Sequence, residues 1–279
     1  MKKQKSSISH SIGTAGWTIP KTSMTEFPQV GSHLQRYSES LNAVEINSSF
    51  YRPHQAKTYK RWADESAAQF TFAVKLAKQF THERKLEVEQ ENLADWLTPV
   101  RDLGDKFGAL LVQIPPKQEF NLEIANSFFK NLRAEFDGLI ALEPRHFSWT
   151  TKDARELLGF YDITKVEADP ERCPTPAQYD KPRYIRLHGS PAIYKSLYEP
   201  QVIKHWADQL RITKKPSWVI FDNTAYGFGT VNALELRRQI ASDESASSSS
   251  LKLSRRKRGA TKNMVATVSK LITEPKTAD

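Results

Sequence analysis

Glu45 with Asn47, Lys75, Gln113, Glu143 with Arg145, Arg186 with His188, and Asp222 with Asn223 each close a short apolar run. The runs read Val44-Glu45-Ile46-Asn47, Phe72-Ala73-Val74-Lys75, Leu111-Val112-Gln113, Leu142-Glu143-Pro144-Arg145, Ile185-Arg186-Leu187-His188 and Val219-Ile220-Phe221-Asp222-Asn223. Carboxylates can give and take protons, guanidinium and ammonium groups can hold an anion, and imidazole can move protons or bind metal. In such a set Glu45 and Glu143 would serve as acid and base, and His188 would carry a proton. Arg145, Arg186 and Lys75 would grip a phosphate or carboxylate, and Asn47, Gln113, Asp169, Asp222 and Asn223 would add polar contacts. Loop residues His82 and His146 could lean in.

Aromatic residues crowd the segments that follow these ends: Trp17, Phe50, Tyr51, Phe147, Trp149, Tyr194 and Tyr226. Flat faces beside cations suit a sugar ring or an unstacked base, which makes Trp17, Tyr51 and Trp149 further ligand candidates. Glu45, Glu143, Asp169, His188 and Asp222 could instead serve a divalent ion. Against that stand the interleaved Lys75, Arg145 and Arg186, and the lack of His-x-x-x-His or His-Glu-x-x-His spacing. The expectation is a metal-free anion pocket without a cofactor, with a divalent metal as the alternative. A third arrangement is purely structural, a network of salt bridges that plugs the interior.

These residues need elements that bring them to one place. Alternate side chains of a strand point to opposite faces, so Val44 and Ile46 can pack outward while Glu45 and Asn47 point the other way. A charge at the end of a buried strand is costly unless it meets water, a partner or a ligand. Eight extended segments are expected at about 11–16, 43–47, 70–75, 108–113, 138–143, 163–168, 183–188 and 217–222. Helical periodicity lies between most of them: Leu34, Tyr37 and Leu41; Leu93, Trp96, Leu97 and Val100; Ile124, Phe128, Phe129 and Leu132; Trp206, Leu210 and Ile212. Gly104, Gly108, Gly138 and Gly159 stand where helices should stop and strands begin, and Asn121 and Thr150 are expected helix N-caps.

Three prolines between Asp169 and Lys181 argue against a regular helix there. Alternating strands and helices imply parallel strands with right-handed crossovers, and eight units favour an α/β (β/α)8 TIM-like barrel whose strand ends share one mouth.

The chain of 279 residues fits one such barrel with an appendage. Its 14 Phe, 9 Tyr and 6 Trp supply a sizeable core, which excludes disorder throughout. The single cysteine, Cys173 beside Pro174, excludes an internal disulfide and a thiolate metal cluster. No secretory h-region and no apolar run of ~20 residues is present, pointing to a soluble cytoplasmic protein without a membrane association. The formal charge of +9 suits an anionic small molecule or nucleic acid as partner. Residues 1–11 read as a disordered start and 12–241 as the barrel. Residues 242–279 read as a Ser-rich linker and flexible basic tail around Arg255-Arg256-Lys257-Arg258. Sequence leaves the oligomeric state open.

Several motifs in order resemble the DUF72 (YecE-like) family: Gly13-Thr14-Ala15-Gly16-Trp17, Val44-Glu45-Ile46-Asn47-Ser48-Ser49-Phe50-Tyr51, Phe72-Ala73-Val74-Lys75 with Thr81-His82, Gln113-Ile114-Pro115-Pro116, Glu143-Pro144-Arg145-His146 with Ser148-Trp149, Arg186-Leu187-His188-Gly189, and Asp222-Asn223 with Asn232-Ala233. The resemblance runs from Ile12 to Leu236 and implies a TIM barrel of undetermined biochemical function. Asp222 stands where the family pattern usually has Asn, and Pro144 where Phe is common; the segment beyond Ile240 has no counterpart in the pattern. Together these readings anticipate an acid–base hydrolase acting on a phosphorylated sugar or nucleic-acid-like ligand, or alternatively a non-catalytic nucleic-acid or small-ligand binding protein.

Overall fold

A computed structural model of the chain describes residues 8–174, 176 and 179–241. By internal contacts the chain divides into two units, 1–237 and 238–279, and the expected tail at 242–279 lies outside the described residues. Among the described residues nine strands form one parallel sheet: β1 (Ser11–Ala15), β2 (Ala43–Ile46), β3 (Thr71–Lys75), β4 (Phe107–Gln113), β5 (Leu139–Glu143), β6 (Ile163–Lys165), β7 (Glu167–Asp169), β8 (Tyr184–Leu187) and β9 (Trp218–Phe221). Their order is β6-β5-β4-β3-β2-β1-β9-β8-β7. β6 and β7 are two halves of the expected sixth segment, separated by Val166 alone; the first half pairs with β5 and the second with β8. That shared segment brings the two sheet ends together in an α/β TIM-like barrel.

Among the described residues six helices lie between the strands: α1 (His33–Ser40), α2 (Ala56–Glu65), α3 (Gln90–Val100), α4 (Leu122–Glu135), α5 (Lys152–Phe160) and α6 (Pro200–Ile212); residues 228–241 are also helical. Asn121 caps α4, its side chain accepting from the Ile124 amide at 3.0 Å. The cap of α5 is Thr151, one residue past the expected Thr150, whose hydroxyl instead donates to the Phe147 carbonyl. On α6 the buried stripe is Ile203, Ala207 and Leu210; of the expected residues Leu210 lies on it, Trp206 is half-buried and Ile212 is exposed. The described residues of 169–181 form no helix, as the prolines require. His10 is buried and Ser11 opens β1, so order begins before residue 12.

Strand parity accounts for the barrel interior. Ala43, Ala73, Ala109 and Ala141, two residues before the polar ends of β2, β3 and β5 and four before that of β4, line it with Leu111, Val166, Tyr184, Trp218 and Ile220. Tyr184 and Trp218 stack with centroids 5.9 Å apart, so two large rings fill space that four alanines leave. Gly108 makes room for one of them: a Cβ there would meet the Trp218 ring at 2.7 Å. One step further along the same inward rows come the charged residues.

Candidate functional site

The centre of the mouth is Arg186, at 1% side-chain exposure. Its Nη2 meets Glu45 Oε1 at 2.7 Å and Asp222 Oδ2 at 3.0 Å, its Nε donates to Glu45 Oε2 at 3.1 Å, and its Nη1 donates to Glu143 Oε2. Planar, pre-arranged donors match three surrounding carboxylates in a way that an ammonium could not. Burial alone would lower the Arg186 pKa, but Glu45, Glu143 and Asp222 hold it well above the usual range. The phenol of Tyr184, two residues earlier on β8 and therefore on the same inward row, donates to Glu45 Oε2 at 2.8 Å.

A second ring of contacts surrounds this hub. Arg145 Nε donates to Glu143 Oε1 at 3.0 Å. His188 Nδ1 lies 2.9 Å from Asp222 Oδ2, and its Nε2 sits 3.3 Å from Glu143 Oε1 as an electrostatic contact outside hydrogen-bond geometry. Burial would lower the imidazole pKa, yet Asp222 and Glu143 together raise it. Burial likewise pushes Glu143 and Asp222 up, and Arg186 with His188 overrides it, leaving Glu143 well below and Asp222 below the ordinary carboxylate values. The recorded contacts of the Asp222 carboxylate all use Oδ2.

Lys75 differs from the other cations. Its Nζ stands 4.3 Å over the Phe50 ring and makes no hydrogen bond or ion pair among the described residues. Burial, then the Arg186 charge, push its pKa down to about 8, against the pull of Glu45, Glu143 and Asp222. His82 packs edge-on to the same Phe50 ring at 5.0 Å, and burial, then Lys75 and Arg145, lower its pKa.

A small cleft of about 40 Å³ opens beside the hub, lined by Glu143, Arg145, Lys165, Arg172, His188 and Tyr194 among others. Lys165 ends β6 and Arg172 lies in the irregular stretch after β7, which strand-end reasoning missed because no apolar run precedes it. Tyr184 was legible in principle, since parity from Arg186 marks it.

Other expected site residues go elsewhere. Arg186 is not open to an anion, because its donors are directed at carboxylates. Asn223 is fully buried and pins two segments, its Nδ2 donating to the Ser196 carbonyl and Asn232 Oδ1. Trp149 is buried, donates to the Gln118 carbonyl at 3.2 Å and packs edge-on to Phe120. Asp169 lines a separate groove with Glu167, Tyr198 and Trp206. His146 turns back to cap the Phe147–Thr150 turn through Ser148. Trp17 is half-buried against Trp62, and Tyr51 is 73% exposed. Gln113 is buried, its backbone opposite Glu143 in the sheet. Asn47 offers a buried Oδ1 with no hydrogen-bond partner, and makes no side-chain cap bond.

Among the described residues no group of three or more His, Cys, Asp or Glu side chains is arranged to hold a metal ion. The Arg186 guanidinium lies among the three carboxylates that would otherwise be the natural ligands. Among the described residues no helix is long and apolar enough to cross a membrane.

Comparison with known proteins agrees with this architecture. A DUF72 family protein from Enterococcus faecalis V583 superimposes with a TM-score of 0.69 at 19% identity, covering 84% of this chain and 96% of that one. A DUF72 family protein from Thermotoga maritima MSB8 gives 0.66 at 21% identity, covering 84% of this chain and all of that one. The UPF0759 protein YecE of Escherichia coli K12 is 25% identical over 150 residues, 52% of each chain. The chain thus spans about half the length of the curated relatives it matches. The family model described as "Protein of unknown function DUF72" matches residues 11–256, reaching past Ile240 into the segment expected to lack a counterpart. A match over most of the sequence, on a barrel whose relatives share its fold, means that the chain belongs to the DUF72 family.

Proposed function

We propose that the mouth binds the anionic group of a phosphorylated sugar or nucleic-acid-like ligand and hydrolyses it by acid–base chemistry. The observation that carries this reading is His188, raised in pKa between Glu143 and Asp222 on the wall of a cleft that Arg145, Lys165 and Arg172 also line. An imidazole raised in pKa, on a cleft lined by Arg145, Lys165 and Arg172 as well as Glu143 and Glu171, is placed to give its proton to a leaving oxygen. Arg145 spends Nε and Nη2 on Glu143, also meets the Tyr194 hydroxyl, and brings its remaining charge to the cleft where an anion would sit.

Glu45 and Glu143 take electrostatic roles in this reading. Glu143 is held ionised and engaged on both oxygens, and Glu45 is fully buried on Arg186 and Tyr184. Both hold Arg186 in place, and Glu143 with Asp222 favours the protonated form of His188. Asp222 orients the imidazole, and its Oδ1 is the carboxylate oxygen left to accept a proton from water.

The test is a turnover screen with ribose 5-phosphate, glucose 6-phosphate and a short single-stranded oligonucleotide, followed by variants on whichever is consumed. His188→Gln and Glu143→Gln should remove turnover while the folded circular dichroism spectrum persists, and Arg145→Met should raise KM. Turnover undiminished in His188→Gln would overturn the assignment. The saturation of Arg186 favours a second reading, binding without turnover. In that case ligand stabilises the fold and weakens steeply with salt, yet is recovered unchanged.

A further inference from the structure

We propose that Lys75 is a nucleophilic amine that captures a carbonyl compound in the mouth, with His82 as the base that takes the amine's proton. The inference rests on the mouth being an anionic-ligand site, and it adds that the ligand carries an aldehyde or ketone; it does not require hydrolysis.

A buried lysine ordinarily gives its three donors to nearby acceptors. Lys106 is also buried enough to be pushed down in pKa, but its Nζ donates to the carbonyls of Ala63 and Ser66 and to Ser66 Oγ. Lys75 Nζ has a ring face and like charge instead: Phe50 beneath it at 4.3 Å and Arg186 as its main charged neighbour. A desolvated lysine next to another cation is the standard arrangement for an amine that attacks carbonyl carbon. At a pKa of about 8, roughly a tenth of the amine is free at neutral pH, against well under ~0.1% for an ordinary lysine.

His82 shares the Phe50 ring and feels the Lys75 charge, and its lowered pKa keeps the imidazole neutral. Its Nδ1 is paired with Thr81 Oγ1 at 2.8 Å, which orients the ring and leaves Nε2 for the amine's proton. Lys75 ends β3 and His82 lies in the turn after it, at the strand-end face where barrel sites are built.

The step balances without an oxidant or reductant. The Nζ lone pair forms a bond to the carbonyl carbon while the C=O π pair moves to oxygen. The amine's proton passes by way of His82 to that oxygen, giving a carbinolamine. A second proton, from an acid such as His188, lets the hydroxyl leave as water while the nitrogen lone pair closes the C=N bond, giving a protonated imine.

The test uses the full-length protein with glyoxylate, a small anionic aldehyde, and sodium cyanoborohydride, which reduces any imine to a stable secondary amine. Peptide mass spectrometry then locates the adduct. The expected result at pH 7 is labelling of Lys75 at least tenfold faster than of the exposed Lys60, Lys152 and Lys204, slowed severalfold by His82→Gln. Labelling spread evenly over the lysines, or Lys75 labelling that follows an ordinary lysine pH profile, overturns the proposal. That outcome is separable from failure of the proposed function. Phosphate-compound turnover dependent on His188 could persist with an inert Lys75, and Lys75 capture could persist with no hydrolysis.

Discussion

Asp222→Asn isolates the negative charge that distinguishes this mouth. Asp222 Oδ2 lies 3.0 Å from Arg186 Nη2 and 2.9 Å from His188 Nδ1. At an effective dielectric near 20, a pair of unit charges at such a distance attracts by roughly 5 kcal/mol gross. Most of that offsets the desolvation of the carboxylate; asparagine keeps the shape and one acceptor oxygen, and Arg186 keeps Glu45 and Glu143. The net loss should be about 2 kcal/mol when His188 is charged and about 1 kcal/mol when it is neutral.

The pH dependence has a definite direction. His188 is raised above 6.5, so its stabilisation is complete below 6.5 and is lost as pH rises through the folded value. Asp222 is lowered below 3.8, so its own contribution is lost only as pH falls through that lower value, outside the window tested. Urea unfolding of both proteins at about pH 5.5 and about pH 9 should therefore show the larger difference in acid. Histidine NMR should show the His188 midpoint falling in the variant. An equal loss at both pH values, or a His188 midpoint that stays or rises, would refute the reasoning.

Three further outcomes follow from the same geometry. Arg186→Met leaves Glu45, Glu143 and Asp222 facing one another and should cost about 3–5 kcal/mol in chemical unfolding, least at low pH where the carboxylates can protonate. Tyr184→Phe removes one donor from Glu45 and should cost about 1–2 kcal/mol by the same measurement, with no change in the His188 titration. Gly13→Ala drives a Cβ into the Ala43 carbonyl oxygen, between β1 and β2, and should lower Tm by several degrees; an unchanged Tm would mean that the strands separate there at little cost.

The barrel was legible because its signal is repetitive. Parity at Ala43 and Glu45, Ala73 and Lys75, or Tyr184 and Arg186 places an apolar layer and a charged layer on the same inward rows without any long-range information. What parity cannot tell is which charge satisfies which. Arg186 reads in sequence as an anion clamp, and only the convergence of β2, β5, β8 and the end of β9 turns its donors onto carboxylates. Asn223 follows Asp222 by one residue and so points out of the row, toward Ser196 and Asn232. Arg172 was hidden for a different reason: the irregular, proline-rich stretch after β7 has no period to read.

The hub also bears on how the barrel opens. Arg186 joins β8 to residues on β2 and β5 that are not its sheet neighbours, so it crosses the interior instead of following the hydrogen-bonded ladder. Peeling β2 or β5 away at this end would strand a buried charge, which couples local openings that a ladder alone would leave independent. In native-state hydrogen exchange, amides near the ends of β2, β5 and β8 should therefore exchange through one shared event, and in Arg186→Met through separate, shallower ones.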